Sequence, residues 1–203
     1  MKKLFAIAAG LMLIGTTAFA QSFGAGYVQS TQKFNKTAST ANGFYAGFGY
    51  TAEILPFLSL NPGIYYEFLT AKDGLSFGSL ASVTGKTTEH YVNVPLQLSL
   101  SLPLAPTFKM FLYGGPTANI GIASTTKVTG KVLGFEGEES KVNNYEKGEY
   151  NRFDIMLGGG IGAEVAKRVR LTVGYDFGML NRIKEGDDVL KRNRLTAGAA
   201  FIF

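Results

Sequence analysis

The chain of 203 residues has no cysteine, no tryptophan, one histidine and only six prolines. Without cysteine there are no disulfides, no thiolate metal sites and no lipid-bearing cysteine of the kind that anchors a lipoprotein. Long apolar runs are also missing. No segment reaches the roughly eighteen uninterrupted apolar residues of a membrane-crossing helix, so a helical anchor is not expected. Charge of one sign is scarce too: 20 Lys and Arg stand against 15 Asp and Glu, interleaved along the chain, so no basic patch points to nucleic acid. What is abundant is glycine, with 26 residues, and aromatics, with 16 Phe and 10 Tyr. With no long helical pattern, that composition predicts a single all-β domain.

Lys2 and Lys3, the apolar stretch Leu4 to Gly15 and the small-x-small site Ala18-Phe19-Ala20 predict a secretory signal peptide over residues 1–20 and one domain over 21–203. Loss of Lys2 and Lys3 leaves 18 basic against 15 acidic residues, a net charge of +3. At the other end, Leu195, Ala197, Ala199, Phe201 and Phe203 share one apolar face of a strand, while Arg194, Thr196 and Gly198 share the other. This suits lipid on one side and a polar interior on the other. Thr196, Gly198, Phe201 and Phe203 resemble the C-terminal assembly signal of bacterial outer-membrane barrels, which implies recognition by barrel-assembly machinery.

Period-2 alternation recurs in eight segments, near 21–30, 43–54, 58–69, 91–102, 108–123, 152–165, 169–179 and 193–203. In the clearest, Val92, Val94, Leu96, Leu98, Leu100 and Leu102 oppose Asn93, Gln97, Ser99 and Ser101. A length of about nine to eleven residues is what a tilted membrane strand needs. Short links at 55–57, 103–107 and 166–168 alternate with long ones near 31–42, 70–88, 124–150 and 181–192. The expected architecture is therefore an eight-stranded antiparallel up-and-down transmembrane β-barrel with tight periplasmic turns and long outward loops. Aromatic girdles are expected at Phe23, Phe57, Phe108, Phe201 and Phe203 on the periplasmic side, and at Phe44, Tyr66, Phe68, Phe153 and Phe177 on the outer side. Pro62, Pro95 and Pro116 should mark bulges or rims, because proline cannot donate to a ladder.

Leu58 to Tyr66, Val92-Asn93-Val94-Pro95-Leu96, Leu112-Tyr113-Gly114-Gly115-Pro116, Gly158 to Gly162 and Arg170 to Tyr175 resemble, in order, the outer-membrane β-barrel domain family. That family is abundant in Bacteroidota and often labelled porin-like or PorT-like. The resemblance implies an outer-membrane location and contact with its lipid, and through the PorT label a role in a secretion machine, but no defined activity.

Inward parity places Glu53, Glu67, Asp154, Glu164 and Asp176 against Lys109, Arg152, Arg170 and Arg194. The expectation is a salt-bridged lumen, with Glu53, Lys109, Glu164 and Arg170 in a periplasmic layer, Glu67, Arg152, Asp154 and Arg194 in an outer one, and Asp176 between. An eight-stranded barrel is filled by its side chains. The inward glycines, among them Gly47, Gly49, Gly158, Gly160, Gly162, Gly174 and Gly198, leave open a narrow path for ions or small solutes.

Chemistry is sparse. Gly158-x-Gly160-x-x-Ala163 sits inside a strand with no helix after it, and Gly85-Lys86-Thr87 lacks the upstream glycine of a phosphate loop and is expected in an exposed loop. No cofactor, metal or catalytic residue is expected. His90, beside Glu89 at the outer end of a strand, is the one foothold for a lipid-modifying enzyme. Loop 124–150 carries Lys127, Lys131, Lys141 and Lys147 against Glu136, Glu138, Glu139, Glu146 and Glu149 around Tyr145. Loops on a rigid scaffold are where binding concentrates, so the expected function is structural or surface-interacting, non-enzymatic, through a monomer with a surface ligand or envelope protein as partner.

Overall fold

A computed structural model describes residues 19–34, 37–77, 81–132, 135–136, 140–146, 150–183 and 190–203. The leader expected over 1–20 lies outside the described residues up to position 18, as do Glu138, Glu139, Lys147 and Glu149. The strands are β1 (Phe19–Phe34), β2 (Thr37–Leu55), β3 (Leu58–Phe77), β4 (Ala81–Ala105), β5 (Phe108–Val132), β6 (Phe135–Glu136), β7 (Ser140–Asn143), β8 (Phe153–Val165), β9 (Val169–Gly178) and β10 (Leu190–Ile202). All pairings are antiparallel. β1 to β5 pair in sequence, β5 pairs β8, β8 pairs β9, β9 pairs β10, and β10 returns to β1, so the strands form a ring. The short β6 and β7 attach to the far end of β5.

The expected alternation holds along the strands. Leu96, Leu98, Leu100, Leu102, Leu112, Leu157, Ile161, Leu171, Val173 and Phe177 are exposed on the outside, while Asn93, Ser99, Thr117, Asn119, Asp154, Glu164 and Asp176 are buried inside. Interior polar and exterior apolar is the inverse of a water-soluble barrel. Several of the aromatics expected in the girdles pair with a neighbouring ring, two of them with Phe48 and Tyr175, which were not among those expected. Phe23 meets Phe48 at 5.3 Å and Phe201 meets Phe203 at 5.6 Å, whereas Phe44 meets Phe68 at 5.4 Å and Tyr175 meets Phe177 at 4.9 Å.

Three expectations change. First, the spans near 31–42 and 70–88 are not loops: β1 and β2 stay paired to Phe34–Thr37, and β3 and β4 to Phe77–Ala81. The span 124–150 likewise begins as strand up to Val132, and Gly85-Lys86-Thr87 lies within β4. These extensions are polar on both faces and so lack a hydrophobic period, yet their threonines and valines suit a pleated ribbon and the ladder continues. Second, the register shifts fall at Glu53/Leu55, His90/Tyr91 and Pro103/Ala105, not at Pro62, Pro95 or Pro116. Those three prolines instead neighbour one another on β3, β4 and β5, where pairing lapses after Pro62↔Leu96 and after Pro95↔Thr117, since none of them has an N–H to donate. Third, the space left by inward glycines is occupied. The Tyr45 hydroxyl lies over Gly198, the Tyr113 hydroxyl over Gly174, and the Phe111 ring over Gly162.

The short turns are as expected. Between β8 and β9, Ala166 and Lys167 both take positive φ, 53° and 58°, and Arg168 N–H closes onto Val165 O at 3.1 Å. This is the type I′ geometry whose twist matches a tight hairpin.

Candidate functional site

The lumen carries charged side chains in three tiers. In the tier nearest the short turns, Glu164 on β8 is bridged by Lys109 of β5 at 3.0 Å and by Arg170 of β9 at 3.0 Å. Arg170 also donates to Thr51 Oγ1 at 3.0 Å and lies over the Phe111 ring. Because Glu164 keeps Lys109 when Arg170 is lost, Arg170→Ala should cost only about 1–3 kcal/mol. A shift in the denaturant midpoint of the folded barrel measures it.

The middle tier is drier and larger. Glu67 of β3, fully buried, is paired with Arg192 and, at 3.1 Å, with Arg194, both from β10. Arg194 also reaches Asp176 of β9 at 2.6 Å. Neutral groups satisfy the rest: Asn93 donates to Glu67 at 3.0 Å, Arg192 donates to Ser30 at 2.7 Å and to Asn119 at 3.1 Å, and Asn119 donates to Asn93 at 2.5 Å. The Arg192 guanidinium stacks over Tyr91 at 4.1 Å. Two carboxylates and two guanidiniums balance, so the tier has no net charge. Its members come from β1, β3, β4, β5, β9 and β10 and so meet across the interior from six strands of the ring.

In the outer tier Arg182, which follows β9, pairs with Glu89 at 3.3 Å and donates to Tyr91 Oη at 2.8 Å. Gln32 donates to Glu89 at 2.9 Å. Burial by itself would lower the Arg182 pKa, but Tyr91 and Glu89 hold it above its ordinary value. Above it opens a vestibule of about 150 Å³ lined by polar groups including Thr87, Ser124, Thr126, Asn144 and Tyr150. Between the inner and middle tiers lies a cavity of about 140 Å³ that Tyr45, Tyr65 and Tyr113 help to line. Below the inner tier the mouth forms a space of about 360 Å³.

Of the lumen residues expected from sequence, Glu67, Lys109, Glu164, Arg170, Asp176 and Arg194 join these tiers. Asp154 is buried inside but accepts the Leu180 N–H at 3.1 Å and makes no ion pair among the described residues. Glu53 is a correction: it is exposed at the mouth, where the shift beside it breaks the inward alternation. Arg152 is another. It is exposed, donating to Ile122 O at 3.2 Å and lying over the Tyr145 ring at 4.6 Å, because it precedes the first residue of β8. Sequence parity missed Arg192, Arg182 and Glu89. Arg192 and Glu89 share parity with Arg194 and Tyr91 and needed only longer strands; Arg182 stands outside any strand and carries no periodic signal.

His90 faces outward, hydrogen-bonded through Nδ1 to the Tyr66 hydroxyl at 2.5 Å and edge-on to Phe68 at 5.3 Å. Neither a serine nor a carboxylate partners it among the described residues.

A ring of antiparallel strands, apolar outside and charged within, defines an outer-membrane β-barrel protein. The outer membrane protein beta-barrel domain family matches residues 15–184, and the chain belongs to that family, whose place is the outer membrane of Gram-negative bacteria. Among solved structures the chain is similar to Ail, the attachment invasion locus protein of Yersinia pestis, at 14% identity and TM-score 0.43, covering 92% of this chain and all of that one. It is also similar to Neisserial surface protein A, at 14% identity and TM-score 0.46, covering 93% and 99% of the two chains. The N-terminal barrel domain of Pseudomonas aeruginosa OprF gives 10% identity and TM-score 0.31 over 89% and 97%. No curated protein matches the chain.

Proposed function

We propose that residues 21–203, after a cleaved leader at 1–20, form an eight-stranded up-and-down transmembrane β-barrel with a closed lumen, acting as a structural or surface-interaction protein of the cell envelope without enzymatic activity. The eight long strands and their ring of pairings support the strand number. The short turns and both termini face the periplasm, and the extended hairpins β1–β2 and β3–β4, with the extension of β5 and its partners β6 and β7, project outward. Thr196, Gly198, Phe201 and Phe203, the last two exposed on the lipid face, present themselves to assembly machinery. The barrel works as a monomer and meets an envelope partner through the hairpins.

The observation that carries the closed lumen is the middle tier: Arg192 and Glu67 are fully buried and joined to Arg194 and Asp176 across the interior. A filled eight-stranded barrel is a scaffold, since open aqueous channels belong to barrels of about sixteen strands. In planar bilayers the folded protein is expected to be electrically silent, folding being verified by its heat-dependent gel shift. A second reading, a narrow channel, draws on the cavity below the middle tier and the vestibule above the outer one. Reproducible conductance steps that change with Arg192→Ala would replace the scaffold reading with it.

A further inference from the structure

Cross-strand register sets four lysines side by side on the extended hairpins. Lys72 of β3 is opposite Lys86 of β4, Lys86 is opposite Lys127 of β5, and Lys127 is opposite Lys141 of β7. All four are exposed. They point away from the vestibule, because Ala71, Thr87 and Thr126, one residue along each strand, line it. Lys33 of β1 and Lys191 of β10 form another directly opposed and exposed pair. Like charges directly opposite on a sheet repel. Among the described residues no carboxylate forms an ion pair with Lys72, Lys86 or Lys141. Among the residues whose burial is described, the acids of this half are Glu67, Glu89, Asp154 and Asp176, all buried, and Glu146, exposed near β7; Asp73 of β3 and Glu136 of β6 also lie on the extensions.

The same outward face is graded. Phe68, His90 and Ala123 stand opposite one another in an apolar and aromatic row. Two residues further on come Thr70, Thr88 and Thr125, and two further still the lysines. Lys72 is four residues beyond Phe68, about 13 Å along a strand and less in height because the strand is tilted. Hydrocarbon, aromatic interface, hydroxyl and ammonium follow the order in which a bilayer changes from acyl chain to charged headgroup. We propose that this lysine row binds the phosphate-bearing headgroups of outer-leaflet lipids, whose negative charge relieves the repulsion along it. The proposal rests on the outward orientation of the β3–β4 hairpin given above.

The test compares heat-dependent gel shifts of the protein refolded in neutral phosphatidylcholine vesicles, in the same vesicles with phosphorylated lipid A, and with dephosphorylated lipid A. Phosphorylated lipid A is expected to raise the unfolding midpoint by about 5 °C, and dephosphorylated lipid A is not. In the variant Lys72→Gln, Lys86→Gln, Lys141→Gln, that rise should fall by half or more, while its midpoint in neutral vesicles stays equal to or above that of the parent. A rise kept by the triple variant, or given equally by dephosphorylated lipid, overturns the proposal. So does an equal rise from inorganic tripolyphosphate over neutral vesicles, which would mark a soluble polyanion as the occupant. Failure of the parent to give any heat-shifted folded form in neutral vesicles overturns the barrel reading itself, a result distinct from loss of the lipid effect.

Discussion

Glu67→Ala should lower the stability of the folded barrel by about 3–5 kcal/mol, the cost of removing one member of a buried ion cluster. Glu67 accepts from Arg192, Arg194 and Asn93 with no access to water. Its loss leaves Arg194 with Asp176, but Arg192 with only Ser30, Asn119 and the Tyr91 ring, none of them a carboxylate. Glu67→Gln keeps the shape and one acceptor oxygen, so it should fall between parent and Ala variant. Glu53→Ala is the internal control: that side chain is exposed at the mouth, and its loss should stay within about 0.5 kcal/mol. Urea midpoints read from the gel shift decide it, and equal losses at positions 67 and 53 would refute the middle tier as the lumen's principal bond.

The second large effect is steric. At Gly160 an added Cβ would stand 2.6 Å from the Gly174 Cα of β9 and 2.7 Å from the Tyr113 hydroxyl. The first is backbone and cannot swing aside. Gly160→Ala should therefore cost about 1–3 kcal/mol through displacement of β8 from β9, and Gly160→Val more. Tyr113→Phe in the same chain removes the hydroxyl contact but not the Gly174 contact, so it should restore only part of the loss. Full restoration would show that the tyrosine alone filled the glycine's space. Midpoints of the two single variants and the double measure this as a coupling cycle.

The sequence made the faces of the strands legible because alternation is local: residues i and i+2 share a side whatever the strand pairs with. Leu96 to Leu102 and Val169 to Phe177 could thus be assigned to lipid before any neighbour was known. Glu164 with Arg170 was similarly readable, since both flank one short turn and a hairpin fixes their opposition. The hairpin extensions escaped notice because Thr84 to Glu89 and Ser124 to Thr129 are polar on both faces and give no period-2 signal.

From the sequence alone came the class of fold, the apolar exterior and the acidic and basic character of the lumen, all consequences of composition and of a two-residue period. Only the tertiary structure decided which charges meet. Glu67 and Arg192 are 125 positions apart, and their contact depends on how far β10 extends and on the ring bringing β3 and β10 across a common interior. The same holds for the lysine row, because register between strands is fixed by pairing across the whole ring, and a shift of one residue would turn each lysine to the other face.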